Sequence, residues 1–245
     1  MQPRFRMFAG PNGSGKTRLY KFLRIQSFIT TEVYINADEI EKKLSETLQF
    51  HFNAYHIKVS DREFKDHIRQ SGILKKIKDQ SFLEKICIQG GVLHLRIKKK
   101  EVNSYIASFL ASFLAEKLID IGQSFCFETV LSHPSKLKLI EHARRKGFKT
   151  YLYFVFTDDW RLNIERIKLR VKLGGHAVDE KKIEKRYFRS MNLFPKAAAL
   201  ASNVYLIDNS INFELIAEIF NRKIISISSN YPDWLKKYFN PAIIK

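Results

Sequence analysis

An apolar run, FRMFA, is followed at once by GPNGSGKT over residues 10–17. No other stretch limits the fold so tightly. The spacing G-x-x-x-x-G-K-T reads as strand, glycine-rich loop and helix, because the glycines let consecutive backbone N–H groups converge on phosphate oxygens while the helix turns its positive end to the same point. Gly10, Pro11, Asn12, Gly13, Ser14 and Gly15 are therefore expected to line a nucleotide's phosphates. Lys16 would reach the β- and γ-phosphates, Thr17 would offer a hydroxyl to Mg²⁺, and Arg18 follows directly.

The rest of the chain supports one architecture around that loop. Short apolar runs alternate with helical patterns: EVYIN before ADEIEKKL, SFCFE before PSKLKLIEHARRK, TYLYFVF before DDWRLNIERIKLRVKL, and later NVYLID. Such alternation predicts an α/β fold of the P-loop NTPase, kinase-like kind, with a mostly parallel sheet flanked by helices. Gly147 and Gly174–Gly175 stand where two of these helices should stop. At 245 residues, 45% of them hydrophobic and 20 of them Phe, the chain can bury one sizeable core.

Residues 49–100 break the rhythm. DREFKDHIRQSGILKKI reads as helical, and KICIQGGVLHLRI as a hairpin turning at Gly90–Gly91. We expect an inserted α+β subdomain there, interrupting a kinase-like domain of residues 1–211. Residues 212–245 form a C-terminal extension, with a second hairpin around Asn221–Arg222 (its first half also fits a helix) and a terminal amphipathic helix in PDWLKKYF.

Charge and cysteine content narrow the function classes. The formal net charge is +18, concentrated in residues 131–200 (seventeen Lys/Arg against seven Asp/Glu) and 49–100 (twelve against five). Such a balance suits anionic ligands, although short lysine runs also occur on ordinary solvated faces. Cys87 and Cys126 have neither the spacing of a zinc site nor that of a disulfide framework, and are expected as reduced core thiols. No signal-peptide pattern opens the chain, and YIASFLASFLA has the length of a buried helix, so a soluble, cytoplasmic protein is expected with no membrane partner.

Several side chains at strand ends could carry chemistry. Asp38 follows the second strand and is a candidate base for a substrate hydroxyl, or else Asn36 or Asp38 caps the next helix. Glu128 and Thr129 end the third strand, where a Mg²⁺-water ligand or a substrate contact would lie. Ser132 and His133 before Pro134 read as a helix entry. At 100° per residue Glu165, Lys168 and Lys172 share a solvent arc, which places Arg166 and Arg170 on the other side. Two arginines held there need an anion, either a phosphoryl group or a carboxylate of a neighbouring helix. GGHAV then reads as a hinge, and Arg186 and Arg189 extend the basic surface, with Arg186 a substrate-binding candidate.

Taken in order, GPNGSGKT, INADEI, FCFETVLS, ERIKLRVKLGGH and KRYFRS resemble the zeta-toxin-like P-loop kinases over residues 4–48 and roughly 101–210. The resemblance implies transfer of a γ-phosphate from ATP or GTP, with Mg²⁺, to a hydroxyl of a UDP-N-acetylhexosamine. It also implies Lys16 and Thr17 on the nucleotide and metal, Asp38 as base, Glu128 on the substrate and Arg166 on the γ-phosphate. Arg170 fits a second arginine, although the family places its own nearer Gly175 and His176. The segment 49–100 is not part of the family pattern, and Thr129 stands where the toxins carry glycine. An antitoxin partner would accompany a toxin. Other readings are a kinase of a different hydroxyl compound or of a nucleic-acid end, a nucleic-acid-binding P-loop ATPase, and a partner-binding unit built on the same fold.

Overall fold

Alternation of apolar side chains along each strand decides how the protein is layered. In the computed structural model, which describes residues 2–31, 33–175 and 178–239, the elements run β1 (Arg4–Ala9), α1 (Lys16–Ile25), β2 (Tyr34–Asn36), α2 (Ala37–Thr47), β3 (Gln49–His51), α3 (Asp61–Ser71), α4 (Ile73–Ile77), β4 (Ile86–Gln89), β5 (Val92–Leu95) and α5 (Ser104–Asp120). They continue with β6 (Phe125–Thr129), α6 (Ser135–Arg145), β7 (Lys149–Phe156), α7 (Trp160–Lys172), α8 (Glu180–Leu200), β8 (Asn203–Asp208), β9 (Glu214–Phe220) and β10 (Lys223–Ile227). Two compact units result, one of Met1–Tyr34 with Gly122–Lys245 and one of Ile35–Ile121.

The larger sheet has the order β10-β9-β8-β7-β1-β6-β2. Its centre is parallel, β1 pairing with β6 and β7 and β7 with β8, while β9 and β10 add antiparallel strands at one edge. Because side chains alternate with a period of two, β1 sends Phe5 and Met7 to one face and Phe8 to the other. Phe5 stacks on Phe125 (4.7 Å between centroids), and Phe154 lies against Phe194 of α8 (4.4 Å) on that first face. On the opposite face α1 lays Leu19 and Tyr20 against Phe8, Cys126, Val155 and Ile207. Each such fully buried side chain contributes about 1.5–3 kcal/mol of transfer free energy, so the sheet's two faces hold this unit together.

The second unit has its own core. The sheet β3-β5-β4 is antiparallel, and Gly90 and Gly91 turn its hairpin at φ 56° and 76° as anticipated. Phe52, Phe64 and Phe113 pack edge to face at 5.0–5.8 Å. α5 is buried along most of its length, and α2 packs on it. The compact unit consequently takes in α2 and α5 on either side of residues 49–100, because those helices cover its sheet and short helices.

Two local readings are corrected. The helical segment 61–77 is two helices, since Gly72 enters the left-handed region (φ 69°) and ends α3 in a C-cap. PDWLKKYF forms only a short 3₁₀ turn, Asp233–Lys237. Residues 214–227 form a hairpin, turned by Asn221 and Arg222 at positive φ, and continue the larger sheet beside β8. The cysteines divide: Cys126 is a core thiol, while Cys87 is half-buried on a strand of the smaller sheet, and neither is in a disulfide. No helix among the described residues is long and apolar enough to cross a membrane.

Candidate phosphate-binding site

The loop after β1 has its shape imposed by what surrounds it. A Cβ on Gly10 would fall 1.9 Å from the Val155 carbonyl oxygen, on Gly13 2.7 Å from that of Asn163, and on Gly15 2.3 Å from Asn209 Nδ2. All three have positive φ, so only glycine satisfies both conformation and space. Gly15 is also the N-cap of α1 and supplies no side-chain acceptor, which leaves the first amides of that helix for an external anion.

The polar groups of this loop suit a polyphosphate. Lys16 is buried, and its ammonium donates to the Pro11 carbonyl at 2.8 Å. Asn12 Oδ1 and Ser14 Oγ are buried with no hydrogen-bond partner among the described residues. Buried polar atoms left without partners cost roughly 1–3 kcal/mol each, so the loop is built for a ligand that satisfies them.

Glu128 reaches the site from β6. In the pairing of β1 with β6 it lies opposite Phe8, and therefore on the sheet face covered by α1. There the Thr17 hydroxyl donates to its carboxylate at 2.9 Å and the Tyr34 hydroxyl donates to the same oxygen. The Tyr34 ring stacks flat on Tyr20 with centroids 3.8 Å apart. Thr17 and Glu128 thus join two hard oxygen donors at the start of α1, a donor set that suits Mg²⁺ held mainly by phosphate and water. Sequence reasoning passed over Tyr34; its only signal was a tyrosine inside an apolar strand.

Thr129 does not share this site. It lies opposite Ala9, on the other face, and its Oγ1 accepts from the Leu131 amide at 3.2 Å, supporting a turn in which Leu131 has φ 54°. Its side chain thus shapes that turn. His133 likewise pairs with Ser135 at 2.9 Å at the entry to α6, the helix-entry arrangement anticipated.

The end of β8 closes the loop from the other side. Asn209 is buried, and its Nδ2 donates to Ser14 O at 2.7 Å. Arg166 of α7 donates from Nη1 to Asn209 O (2.7 Å) and from Nη2 to Ser210 O (3.0 Å). Burial, and then the nearby charge of Arg18, pull the Arg166 pKa below its ordinary value. Arg18 itself is exposed, 5.3 Å from the Phe213 ring centroid. Two cations brought together against their own repulsion favour an anion beside them. The segment Asn209–Ser210 after β8 in this arrangement positions Arg166 and the loop.

The other predicted residues lie on α7, α8 and α2. Glu165, Lys168 and Lys172 are exposed as the helix geometry required, and Leu169, Val171 and Leu173 are exposed as well. Arg170 is half-buried one turn beyond Arg166, its stem so close to Gly175 that a Cβ there would lie 2.7 Å from Arg170 Cγ. Arg186 is half-buried on α8, just before Tyr187, whose hydroxyl donates to Thr157 O at 2.6 Å. His176 and Ala177 of the expected hinge lie outside the described residues. Asp38 is exposed in the first turn of α2, in the second unit. Its backbone amide donates to Asn36 Oδ1 at 2.8 Å, so Asn36 is the cap and the Asp38 carboxylate is not.

Comparison with known proteins concerns the chain's family and fold. A family model described as zeta toxin matches residues 97–227, just over half of the chain. An uncharacterised protein of Haemophilus influenzae (strain ATCC 51907 / DSM 11121 / KW20 / Rd) is 35% identical over 63 residues, 26% of this chain and 45% of that one. Among solved structures, the AvrRxo1-ORF1:AvrRxo1-ORF2 complex with sulphate ions aligns at TM-score 0.59 and 14% identity, over 98% of this chain and 64% of the other. A structure of that system with ATP aligns at 0.56, also 14% identical, over 98% and 64%. The PezAT toxin–antitoxin system of Streptococcus pneumoniae aligns at 0.50 and 13% identity, over 98% and 78%. At these identities the structural likeness concerns the fold. The chain spans under half of the Haemophilus protein and less than two thirds of the AvrRxo1 chains it matches.

Proposed function

We propose, from the premise that this chain belongs to the zeta toxin family, that it is a P-loop phosphotransferase moving the γ-phosphate of ATP or GTP to a hydroxyl of a small molecule. One observation carries the reading: the loop Gly10–Thr17 has no room for a Cβ at its three glycines and holds the partnerless Asn12 Oδ1 and Ser14 Oγ beside the buried Lys16. That combination fits phosphate oxygens and little else.

The geometry of the loop, Glu128 and Arg166 supports their proposed roles. Backbone amides at the start of α1 and Lys16 would bind the β- and γ-phosphates. Thr17, with Glu128 on its hydroxyl, would hold Mg²⁺, which when bound would offset the negative charge of the phosphates. Arg166, locked on two carbonyls, would stabilise charge as the phosphoryl group leaves, with Arg170 following it on α7. Asp38 is proposed as the base on its place in the sequence, four residues after Tyr34, and because Asn36 already caps its helix. The family resemblance points to a UDP-N-acetylhexosamine as acceptor. It also points to an antitoxin partner, in keeping with the toxin–antitoxin system to which the pneumococcal structure belongs.

Transfer of labelled γ-phosphate to UDP-N-acetylglucosamine tests this. Wild type should transfer, Lys16→Ala should not, and Asp38→Asn should bind ATP yet transfer at least about 100-fold more slowly. Full transfer by Lys16→Ala would sink the phosphotransferase reading; equal activity in Asp38→Asn would remove only the base.

A further inference from the structure

The second unit carries a surface that the phosphate loop does not use. Its three-stranded sheet buries Phe50, Leu93 and Leu95 on one face. On the other, Gln49, His94 and Cys87 stand in one cross-strand row, and an open depression of about 310 Å³ lies between them, Gln89 and Arg96. At the end of this sheet, where β4 begins and β5 stops, positive charge accumulates. Residues 75–100 hold eight Lys/Arg against two Asp/Glu.

Local packing gathers these cations. The Arg96 amide donates to Lys85 O at 2.7 Å, tying the two strand ends, and Lys98, Lys99 and Lys100 follow directly. α4 packs on the 3₁₀ turn Gln80–Lys85 that leads into β4, which brings Lys75, Lys76 and Lys78 to the approach to the same strand end. Two of the nearby carboxylates are already engaged, Asp79 holding Lys85 at 2.8 Å and Glu101 accepting from the Lys98 backbone amide at 2.7 Å, while Glu84 is exposed. On α3, by contrast, Lys65 and Arg69 are paired with Asp61 and Asp66. Among the described residues Lys75, Lys76, Lys78 and Lys98–Lys100 are exposed and form no ion pair, and Arg96 meets only the Cys87 sulfur, at 3.8 Å. Like charges left exposed in one region repel, and an external polyanion relieves that repulsion.

The neighbouring groups select among polyanions. A site that inserts into a membrane interface needs exposed aliphatic side chains, and between residues 75 and 105 the one exposed large apolar group is the Tyr105 ring. An acidic polypeptide asks only for donors, whereas Gln49, Gln89 and His94 both donate and accept, as sugar hydroxyls and base edges require. We propose that this basic edge and the polar sheet face beside it bind a nucleic acid, chiefly through its phosphodiester backbone. The proposal stands apart from the phosphotransferase reading, since it uses no residue of the phosphate loop.

The test is fluorescence anisotropy with the full chain and a fluorescein-labelled mixed-sequence RNA, as single strand and as duplex, across a salt series. Wild type should bind one or both forms, weakening linearly in log K against log salt. K98E/K99E/K100E should lose at least about tenfold in affinity and flatten the single-strand slope by about 2, at roughly 0.7 per phosphate contact. K181E/K182E/K185E on α8, which changes net charge equally, should bind as wild type. Circular dichroism establishes that each variant is folded, and K98Q/K99Q/K100Q replaces the triple glutamate if it is not. Absence of wild-type binding at low salt would overturn the proposal. So would equal loss in the α8 control, which would mean general charge attraction, or displacement of RNA by poly-glutamate as effective as by unlabelled RNA, which would mean an acidic polypeptide site.

Discussion

Tyr34→Phe removes one oxygen and leaves the ring. The stack on Tyr20 at 3.8 Å is therefore kept, and so is the Thr17 contact to Glu128, while the donor from the Tyr34 hydroxyl is lost. A hydrogen bond to a charged group contributes about 1.5–3 kcal/mol, and the half-exposed setting favours the lower end. If the whole of about 1.5–2 kcal/mol is expressed in orienting Glu128 beside Thr17, turnover should fall roughly 10–30-fold. Because Tyr34 acts through Glu128, it is a positioning residue and its signature is specific: the Mg²⁺ concentration for half-maximal rate should rise, while ATP affinity without metal and the melting temperature stay near wild type. The assay is γ-phosphate release or transfer over a Mg²⁺ titration, with Tyr34→Ala beside it to register loss of the stack as lower stability. Unchanged rate and Mg²⁺ dependence in Tyr34→Phe would refute the idea that Tyr34 aligns the metal-side carboxylate.

Arg166→Lys keeps a charge but not the fork that spans Asn209 O and Ser210 O, so it should lose turnover almost as fully as Arg166→Ala, roughly 100-fold, with a smaller change in ATP affinity; steady-state kinetics and equilibrium ATP binding separate the two quantities. Asn209→Ala strips the buried donor from Ser14 O and should cost about 1–3 kcal/mol in urea denaturation, with weaker ATP binding because the loop loses its brace. Burial pushes the Cys126 thiol up to about 12 from an ordinary 9.0, and Tyr153 and Tyr187 are raised by burial too. The unfolded chain releases these protons first, so stability should be full near neutral pH and fall as pH climbs from about 9 towards 12, measurable as a declining urea midpoint. In the same protein a thiol reagent should modify Cys87 readily and Cys126 only on unfolding.

How far the site could be read from residue order depended on whether its parts are local. The phosphate loop is a local device, since its glycines, Lys16 and Thr17 are adjacent in the chain and their backbone geometry follows from φ preferences. The hairpin at Gly90–Gly91 was legible because two glycines suit turn positions that need positive φ, whereas the hairpin at Asn221–Arg222 left a helix open for its first half. Glu128 and Thr129 looked interchangeable at the end of one strand. Only the register of β6 against β1 separates them, because the pleat sends neighbours to opposite faces and α1 covers just one of those faces.

Sequence alone determined the α/β class, the position of the phosphate loop and the basic character of residues 49–100, since these rest on spacing, periodicity and charge within short stretches. Tertiary structure decided which distant groups meet: Tyr34 and Thr17 on Glu128, Asn209 on Ser14, Arg166 on the carbonyls after β8, and Gly10 against Val155. Those contacts join residues 43 to 195 positions apart, or arise from the close approach of two backbones. Pairing register and helix placement, set by burial over the whole sheet, are what bring them together.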